Sequence, residues 1–139
     1  MLIIKELSYR GVNVQKAKLC GENLGDTKLT QKLYELFTSR KYDELLGYCS
    51  IILSKDPVNL TALKYKAYSL FFLERFDDSI ACYDRAIQIE PDSPSHYAGK
   101  SKALDKLGRF KESRDCYEQA KKLKDKESDL GHNKNEWGT

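Results

Sequence analysis

The sequence repeats itself at an interval of 34 residues. Shifting the chain against itself by this interval aligns residues of the same kind: Leu36, Leu70 and Leu104; Tyr42, Phe76 and Phe110; Cys49, Tyr83 and Tyr117; Pro57 and Pro91. Self-similarity at a fixed period indicates a supersecondary unit that cannot bury its apolar face alone and therefore stacks on copies of itself. This feature restricts the chain to a repeat architecture with three units, about the minimum for a stable array.

The middle unit, residues 60–93, shows what each repeat contains. Its apolar residues recur at helical spacing in two segments that are joined by the short turn Glu74–Phe76. Asn59 is placed to cap the first helix, and Pro91 ends the second. Each unit is therefore predicted to be a pair of amphipathic helices.

The third unit uses different start and turn signals. Ser93 and Pro94 predict an N-cap followed by proline at the first helical position, where its missing N–H costs nothing. Gly108 predicts the tight turn between the two helices.

These positions resemble the tetratricopeptide repeat, and the likeness covers about three quarters of the chain. The middle unit matches the family pattern at Leu63, Ala67, Leu70, Phe76, Ser79, Tyr83, Ala86 and Pro91, with Lys66 in place of the usual leucine. The third unit matches at Tyr97, Ser101, Leu104, Gly108, Phe110, Ser113, Tyr117 and Ala120, with Asp125 where proline would fall. The first unit fits most loosely, because Leu33, Leu45 and Ile52 occupy sites that the family keeps small. We expect this bulk to push its two helices slightly apart.

The resemblance implies an all-α fold, an α-solenoid of three stacked helix–turn–helix repeats in a right-handed superhelix. The repeats are placed at residues 26–59, 60–93 and 94–127. Residues 1–25 do not match and are predicted to form an irregular or partly helical cap, which either covers the end of the first repeat or lies in the groove. Residues 128–139 are predicted to be a flexible C-terminal tail, with the last helix ending at about Lys126.

Charge and cysteine content restrict the kinds of partner and cofactor that we expect. The net charge of +3 is too small to require a nucleic-acid or membrane partner, although residues 94–127 carry ten Lys and Arg against six Asp and Glu. The four cysteines form no C-x-x-C pair and neither histidine lies at ligand spacing, so we expect reduced thiols and no metal or other cofactor. Met1–Ile4 is too short for a signal peptide or a membrane span, which favours a cytoplasmic location and no membrane partner.

The resemblance also implies where a ligand binds. In this family the first helix of each repeat lines a concave wall, whose peptide-contacting positions correspond here to Thr27, Thr30, Tyr34, Phe37 and Thr38; to Thr61, Lys64, Tyr68, Phe71 and Phe72; and to Ser95, Ala98, Lys102, Asp105 and Lys106. Helical spacing independently places Lys64, Tyr68 and Phe71 on one face. We predict that the partner-binding wall consists of Tyr34, Phe37, Lys64, Tyr68, Phe71, Lys102 and Lys106. The alternative interpretation is that some of these aromatic side chains are core, and one of Phe71 and Phe72 is expected to pack between helices.

One subclass of the family is not expected. Members that hold chaperone C-termini use a clamp of Lys, Asn, Asn, Lys and Arg on these helices. The matching positions here are Thr30, Tyr34, Tyr65, Ser95 and Gly99, so every clamp residue is replaced.

No combination of nucleophile and base, phosphate loop or carboxylate cluster points to catalysis, and we do not expect an enzyme. The leading hypothesis is a protein-interaction scaffold that binds a protein or peptide carrying apolar and acidic residues. An alternative is a nucleic-acid or ribonucleoprotein accessory that uses the basic third repeat, although helical geometry scatters its cations over several faces: Lys100, Lys102, Lys106, Arg109, Lys111, Arg114, Lys121 and Lys122. A third hypothesis is self-association, and the sequence does not fix the oligomeric state.

Overall fold

The computed structural model describes residues 26–135 of the chain, and the side chains of residues 28–130. Six α-helices follow one another over this range, and it contains no strand. They are α1 Asp26–Thr38, α2 Tyr42–Lys55, α3 Leu60–Phe72, α4 Phe76–Ile89, α5 Pro94–Lys106 and α6 Phe110–Asn135. The cap predicted for residues 1–25 lies outside the described residues.

The last helix is longer than the sequence pattern predicts. α6 has 26 residues and continues to Asn135, so the predicted helix end near Lys126 is wrong. The flexibility predicted for residues 128–139 stays a prediction. The physical reason for the longer helix is the missing helix breaker. Pro57 and Pro91 follow the second helices of the first two repeats, whereas Asp125 stands at the equivalent position of the third and permits the helix to continue.

The chain divides into two compact units that do not coincide with the repeat units of the sequence. They are called here the first unit, Met1–Arg75, and the second unit, Phe76–Thr139. Helices α1 to α3 belong to the first unit, and α4 to α6 belong to the second. The division therefore falls in the inter-helix turn of the middle repeat rather than between two repeats.

The core of the first unit is built from large aliphatic side chains. Its buried members are Leu33, Leu36, Leu45, Cys49, Ile52 and Ala62. Phe37 and Tyr65 are among the partly buried side chains that pack against this core. α1 and α2 approach each other closely along less of their length than α5 and α6 do. That the bulk of Leu33, Leu45 and Ile52 separates α1 from α2 stays a prediction.

The second unit holds its helices together through small residues. Ser101 on α5 and Ser113 on α6 are both buried, and their hydroxyl oxygens lie 2.9 Å apart. Ser113 Oγ also donates to the backbone carbonyl of Ser101 at 2.9 Å. The small side chains allow the two helices to approach closely, and their buried hydroxyls are hydrogen bonded. The ring of Tyr83 on α4 packs against Gly99 on α5, where a Cβ atom would collide with it.

The α1–α2, α3–α4 and α5–α6 turns share one backbone conformation. Arg40, Glu74 and Gly108 occupy the same repeat position, and their φ angles are 56°, 59° and 75°. In each turn the next residue's N–H donates to a carbonyl in the last turn of the preceding helix, as in Arg75 N to Leu70 O at 2.8 Å. A left-handed residue that closes the helix in this way is a common C-terminal motif, and glycine is its usual occupant.

The helix caps agree with the sequence in part. Asn59 caps α3 as predicted, because its Oδ1 accepts from the Ala62 N–H at 3.0 Å. Ser93 precedes α5 as predicted, but its hydroxyl lies 3.0 Å from that of Ser95 and makes no capping hydrogen bond to the helix backbone. None of the helices in the described range is both long and apolar enough to cross a lipid bilayer.

Candidate functional site

Six aromatic rings form one continuous group in the first unit. This group, called here the aromatic group, comprises Phe37, Tyr42, Tyr65, Tyr68, Phe71 and Phe72. Phe37 is on α1, Tyr42 begins α2, and the other four are on α3. Helical spacing of three and four residues gathers Tyr65, Tyr68 and Phe72 on the side of α3 that faces α1.

Phe37 lies at the centre of the aromatic group. Its ring centroid is 5.7 Å from that of Tyr68, 6.0 Å from Tyr65 and 5.8 Å from Phe72. Tyr42 lies 6.2 Å away on the other helix of the same repeat. These distances and their tilted or edge-on orientations are in the range in which aromatic pairs attract one another. One side chain therefore joins all three helices of the first unit.

The exposed end of the aromatic group is formed by Phe72. Its ring stacks on Tyr42 with centroids 5.0 Å apart and lies edge-on to Phe71 at 5.6 Å. Phe72 is nevertheless 50% exposed, whereas Phe71 is half-buried. Both side chains therefore retain some exposed surface, and the more exposed of them is Phe72, which the predicted set of binding residues leaves out.

Tyr34 continues this surface along α1. It lies one turn before Phe37 and is 58% exposed, so most of its ring is accessible. Lys64 is half-buried one turn before Tyr68 on α3. Tyr34 and Lys64 thus add an aromatic ring and a cation to the two helices that carry most of the aromatic group.

The two central phenols are held in the neutral form. Burial raises the pKa of Tyr68 above the ordinary tyrosine value, and the neighbouring Tyr65 adds to the effect. Burial likewise raises the pKa of Tyr65, with smaller contributions from Tyr34 and Cys49. Within the described residues neither hydroxyl makes a hydrogen bond, so both remain able to donate one to a ligand.

The structure brings together part of the predicted wall. Phe37 and Tyr68 are in direct ring contact, and Phe71 joins them through Phe72. Sequence reasoning missed Tyr42 and Tyr65 as members of this surface. Tyr42 was assigned only to the aromatic position at the inter-helix turn of the repeat. Tyr65 could have been included, because it lies three residues before Tyr68 and therefore near the same face of the helix.

The predicted basic end of the wall lies on another helix. Lys102 and Lys106 are both exposed on α5, in the second unit. Among the other cations of the third repeat, Lys100 Nζ donates to Asp84 at 2.5 Å, and Arg109 forms a two-pronged contact with Glu112 at 2.6 and 2.8 Å. The remaining basic side chains are exposed: Lys111, Arg114, Lys121, Lys122, Lys124 and Lys126. In the range where side chains are described, no cluster of three His, Cys, Asp or Glu residues could hold a metal ion.

The family comparison matches two of the three predicted repeats. The tetratricopeptide repeat pattern matches residues 66–93 and 97–127, which confirms the resemblance inferred from the 34-residue period. The predicted first repeat, residues 26–59, lies outside the match. No curated protein sequence matches the chain.

Solved structures share the fold at low sequence identity. The first tetratricopeptide domain of Spaghetti (RPAP3), bound to the HSP90 peptide SRMEEVD, is 23% identical with a TM-score of 0.65, over 81% of this chain and 82% of that one. The solution structure of the first such domain of human RPAP3 gives 23% identity and a TM-score of 0.65 over 68% and 75%. A structure of MamA from MSR-1 gives 17% and 0.67 over 91% and 66%. These likenesses confirm the predicted all-α helical-repeat fold.

Proposed function

We propose that this chain, whose residues 66–93 and 97–127 are tetratricopeptide repeats, is an interaction scaffold that binds a protein segment on the joint surface of α1 and α3. The observation that carries the proposal is the aromatic group, which rests on the core at Phe37 and Tyr65 and is open to solvent at Phe72. Rigid aromatic side chains provide a large contact area at low cost in conformational entropy, and such residues dominate the energetics of interfaces.

The surface favours a ligand with apolar anchors and oxygen acceptors. The rings of Tyr34 and Phe72 offer exposed apolar area at its two ends. Between them the hydroxyls of Tyr65 and Tyr68 can each donate a hydrogen bond, and Lys64 supplies a positive charge one turn away. A segment with aliphatic or aromatic side chains, together with backbone carbonyls or a carboxylate, would satisfy these groups.

The expected ligand differs from the peptide seen with RPAP3. That domain is bound to a peptide ending in two glutamates, valine and aspartate. At the positions of the family's carboxylate clamp, the first unit here carries Thr30, Tyr34 and Tyr65. In the second unit Gly99 stands at the clamp arginine position, and the packed Tyr83 ring leaves no room for a side chain there. Apolar contacts are therefore proposed to contribute more than recognition of a terminal carboxylate.

Lys102 and Lys106 lie on α5 in the second unit, and the acidic preference predicted for them stays a prediction that is separate from the proposed α1–α3 surface. Both are exposed at ligand-contacting positions of the third repeat, and neither forms an ion pair among the described residues. Exposed cations of this kind contribute little affinity each, and their main effect is on specificity and on the rate of association. The proposal of a protein ligand rests on the aromatic group and does not require them.

A selection from a random peptide library tests the proposal. Twelve-residue peptides would be selected on the wild-type protein, and their affinities measured by fluorescence anisotropy for wild type and for Tyr34→Ala/Phe72→Ala. Both residues are at least half exposed, so the double variant should retain its helical circular dichroism. We expect selected peptides to be rich in apolar and acidic residues and to lose at least about tenfold in affinity, because removal of interface aromatics commonly costs more than 1 kcal/mol.

A matched control removes two equally exposed apolar side chains outside this surface. Val58→Ala/Leu130→Ala deletes side chains that are each 59% exposed, and it should leave peptide affinity unchanged. Equal affinity of wild type and Tyr34→Ala/Phe72→Ala for every selected peptide would refute the proposed surface. If labelled single-stranded RNA bound instead, with an affinity that falls steeply with salt, the nucleic-acid hypothesis would replace it.

A further inference from the structure

In the second unit, α4 can be compared with α6, because the two helices occupy equivalent positions in successive repeats. On α4, residues at three- and four-residue spacing form one face: Phe76, Ile80, Tyr83 and Ile87. Tyr83 is only 3% exposed and packs its ring on Gly99 of the following helix, α5. The Asp84 carboxylate beside it accepts from Lys100, also on α5. This face of α4 is therefore the face that receives the next helix of the array.

The same positions of the last repeat form a face without such a neighbour. Adding 34 to each number gives Phe110, Arg114, Tyr117 and Lys121 on α6. Tyr117, the counterpart of Tyr83, is 60% exposed, and Phe110 is 66% exposed. Among the described residues no helix covers these two rings. Two exposed aromatic side chains, two helical turns apart on one face, are thus left at the position where α4 receives a helix.

The two aliphatic residues of this face have been replaced by cations. Ile80 and Ile87 of α4 correspond to Arg114 and Lys121 of α6, and Lys124 continues the line one turn later. All three cations are exposed, and none of them forms an ion pair within the described residues. The face retains the aromatic contacts that accept a helix and adds a positive charge that α4 lacks.

We propose that this face, called here the α6 face and formed by Phe110, Arg114, Tyr117, Lys121 and Lys124, docks an acidic amphipathic helix of a partner protein. The occupant carries glycine or alanine opposite Tyr117, because Gly99 is what allows a helix to lie against the equivalent ring of Tyr83. It carries Asp or Glu one turn to either side of that residue, where the carboxylates meet Arg114 and Lys121. Charge complementarity and the α4–α5 contact define the partner's chemistry.

The α6 face is poorly suited to a second copy of itself. In an antiparallel pair centred on Tyr117, Arg114 of one copy would lie near Lys121 of the other, and like charges in an interface are unfavourable. It is also poorly suited to a phosphate track. The exposed carboxylates of Glu118 and Asp125 lie along one edge of the face, so the cations do not form the long uninterrupted row that a nucleic-acid backbone requires.

The experiment uses the full chain and a defined probe. A phage library of 18-residue helices would fix alanine or glycine at the central position and Asp or Glu one turn to either side, and vary the apolar positions. Enriched peptides would be measured by fluorescence anisotropy. We expect binding to wild type, at least tenfold weaker binding to Tyr117→Ala, and a similar loss for Arg114→Glu/Lys121→Glu. Because all three residues are exposed, each variant should unfold at the wild-type temperature.

Two further measurements decide the assignment. A peptide with Lys in place of its Asp or Glu residues should bind Arg114→Glu/Lys121→Glu better than wild type, and Tyr34→Ala/Phe72→Ala should bind the acidic peptides as wild type does. The proposal is overturned if no helix is enriched, if affinity depends on Tyr34 and Phe72 rather than on Tyr117, or if Tyr117→Ala dissociates a homodimer. RNA binding with a steep salt dependence that is lost in Arg114→Glu/Lys121→Glu would equally overturn it.

Discussion

Tyr42 and Phe72 stack nearly face to face, with ring planes 7° from parallel and centroids 5.0 Å apart. Phe72 ends α3 and Tyr42 begins α2, so the pair joins the ends of two helices. Aromatic pairs of this kind contribute about 0.5–1.5 kcal/mol beyond the area they bury. We expect a double-mutant cycle of Tyr42→Ala and Phe72→Ala, measured by urea unfolding, to give a coupling free energy of this size. Tyr42→Phe should retain the coupling, whereas fully additive losses would show that the two rings do not interact.

Gly99 should not tolerate even alanine. A Cβ atom at this position would collide with the end of the Tyr83 ring, which is buried and has little room to move. We expect Gly99→Ala to reduce the free energy of unfolding by about 1–3 kcal/mol, the usual cost of overpacking. In a Tyr83→Ala background the ring is absent, and the same substitution should be neutral or stabilising by up to about 1 kcal/mol, because alanine favours a helix. Stabilisation of the wild type by Gly99→Ala would contradict this packing.

Substitutions at the three left-handed turn residues should change the free energy of unfolding in opposite directions. A positive φ costs a residue with a Cβ roughly 1–2 kcal/mol, and glycine loses about 0.4–1 kcal/mol through the greater entropy of the unfolded chain. Arg40→Gly and Glu74→Gly should therefore stabilise the protein by up to about 1 kcal/mol. Gly108→Ala should destabilise it by about the same amount, although there is open space around its α-carbon. Thermal and urea unfolding would measure all three changes, and destabilisation by both glycine variants would argue against the shared turn conformation.

The raised tyrosine pKa values predict how stability changes at alkaline pH. Because folding raises the pKa of Tyr65 and Tyr68, their contribution to stability is fully present below the unfolded-state value of about 10 and is lost as the pH rises through the folded-state values. We expect the free energy of unfolding of wild type to fall above about pH 10. Tyr68→Phe should fall less steeply, since one phenol no longer ionises. Urea unfolding at a series of pH values measures the slopes, and identical slopes for the two proteins would exclude the effect.

The repeat period made most of the fold predictable. Leu36, Leu70 and Leu104 recur in phase and are all buried, because each fills the same place in its helix pair. The left-handed conformation of Arg40 and Glu74 could not be predicted, because neither residue favours it. It is imposed by the closing hydrogen bonds of the preceding helices. Only the third turn is indicated by the sequence, because Gly108 favours the left-handed conformation.

The binding surface was predictable only where it followed one helix. Lys64, Tyr68 and Phe71 follow from spacing along α3, since the helical period fixes which side chains share a face. The stacking of Phe72 on Tyr42 depends on how two helix ends meet, and that distance is set by the tertiary packing of the first unit. A single sequence carries no direct signal of such a contact.

Because α6 is longer than α5, its two halves should differ in how fast their backbone amides exchange hydrogen. α5 has 13 residues and α6 has 26, so at 1.5 Å per residue α6 is about 20 Å longer than the helix it packs on. Its buried residues end at Leu123, and every described side chain from residue 124 to residue 130 is exposed. Backbone amides up to about Leu123 should therefore exchange hydrogen only when the unit unfolds. Those beyond it should exchange by local opening, orders of magnitude faster, because no tertiary contact protects them.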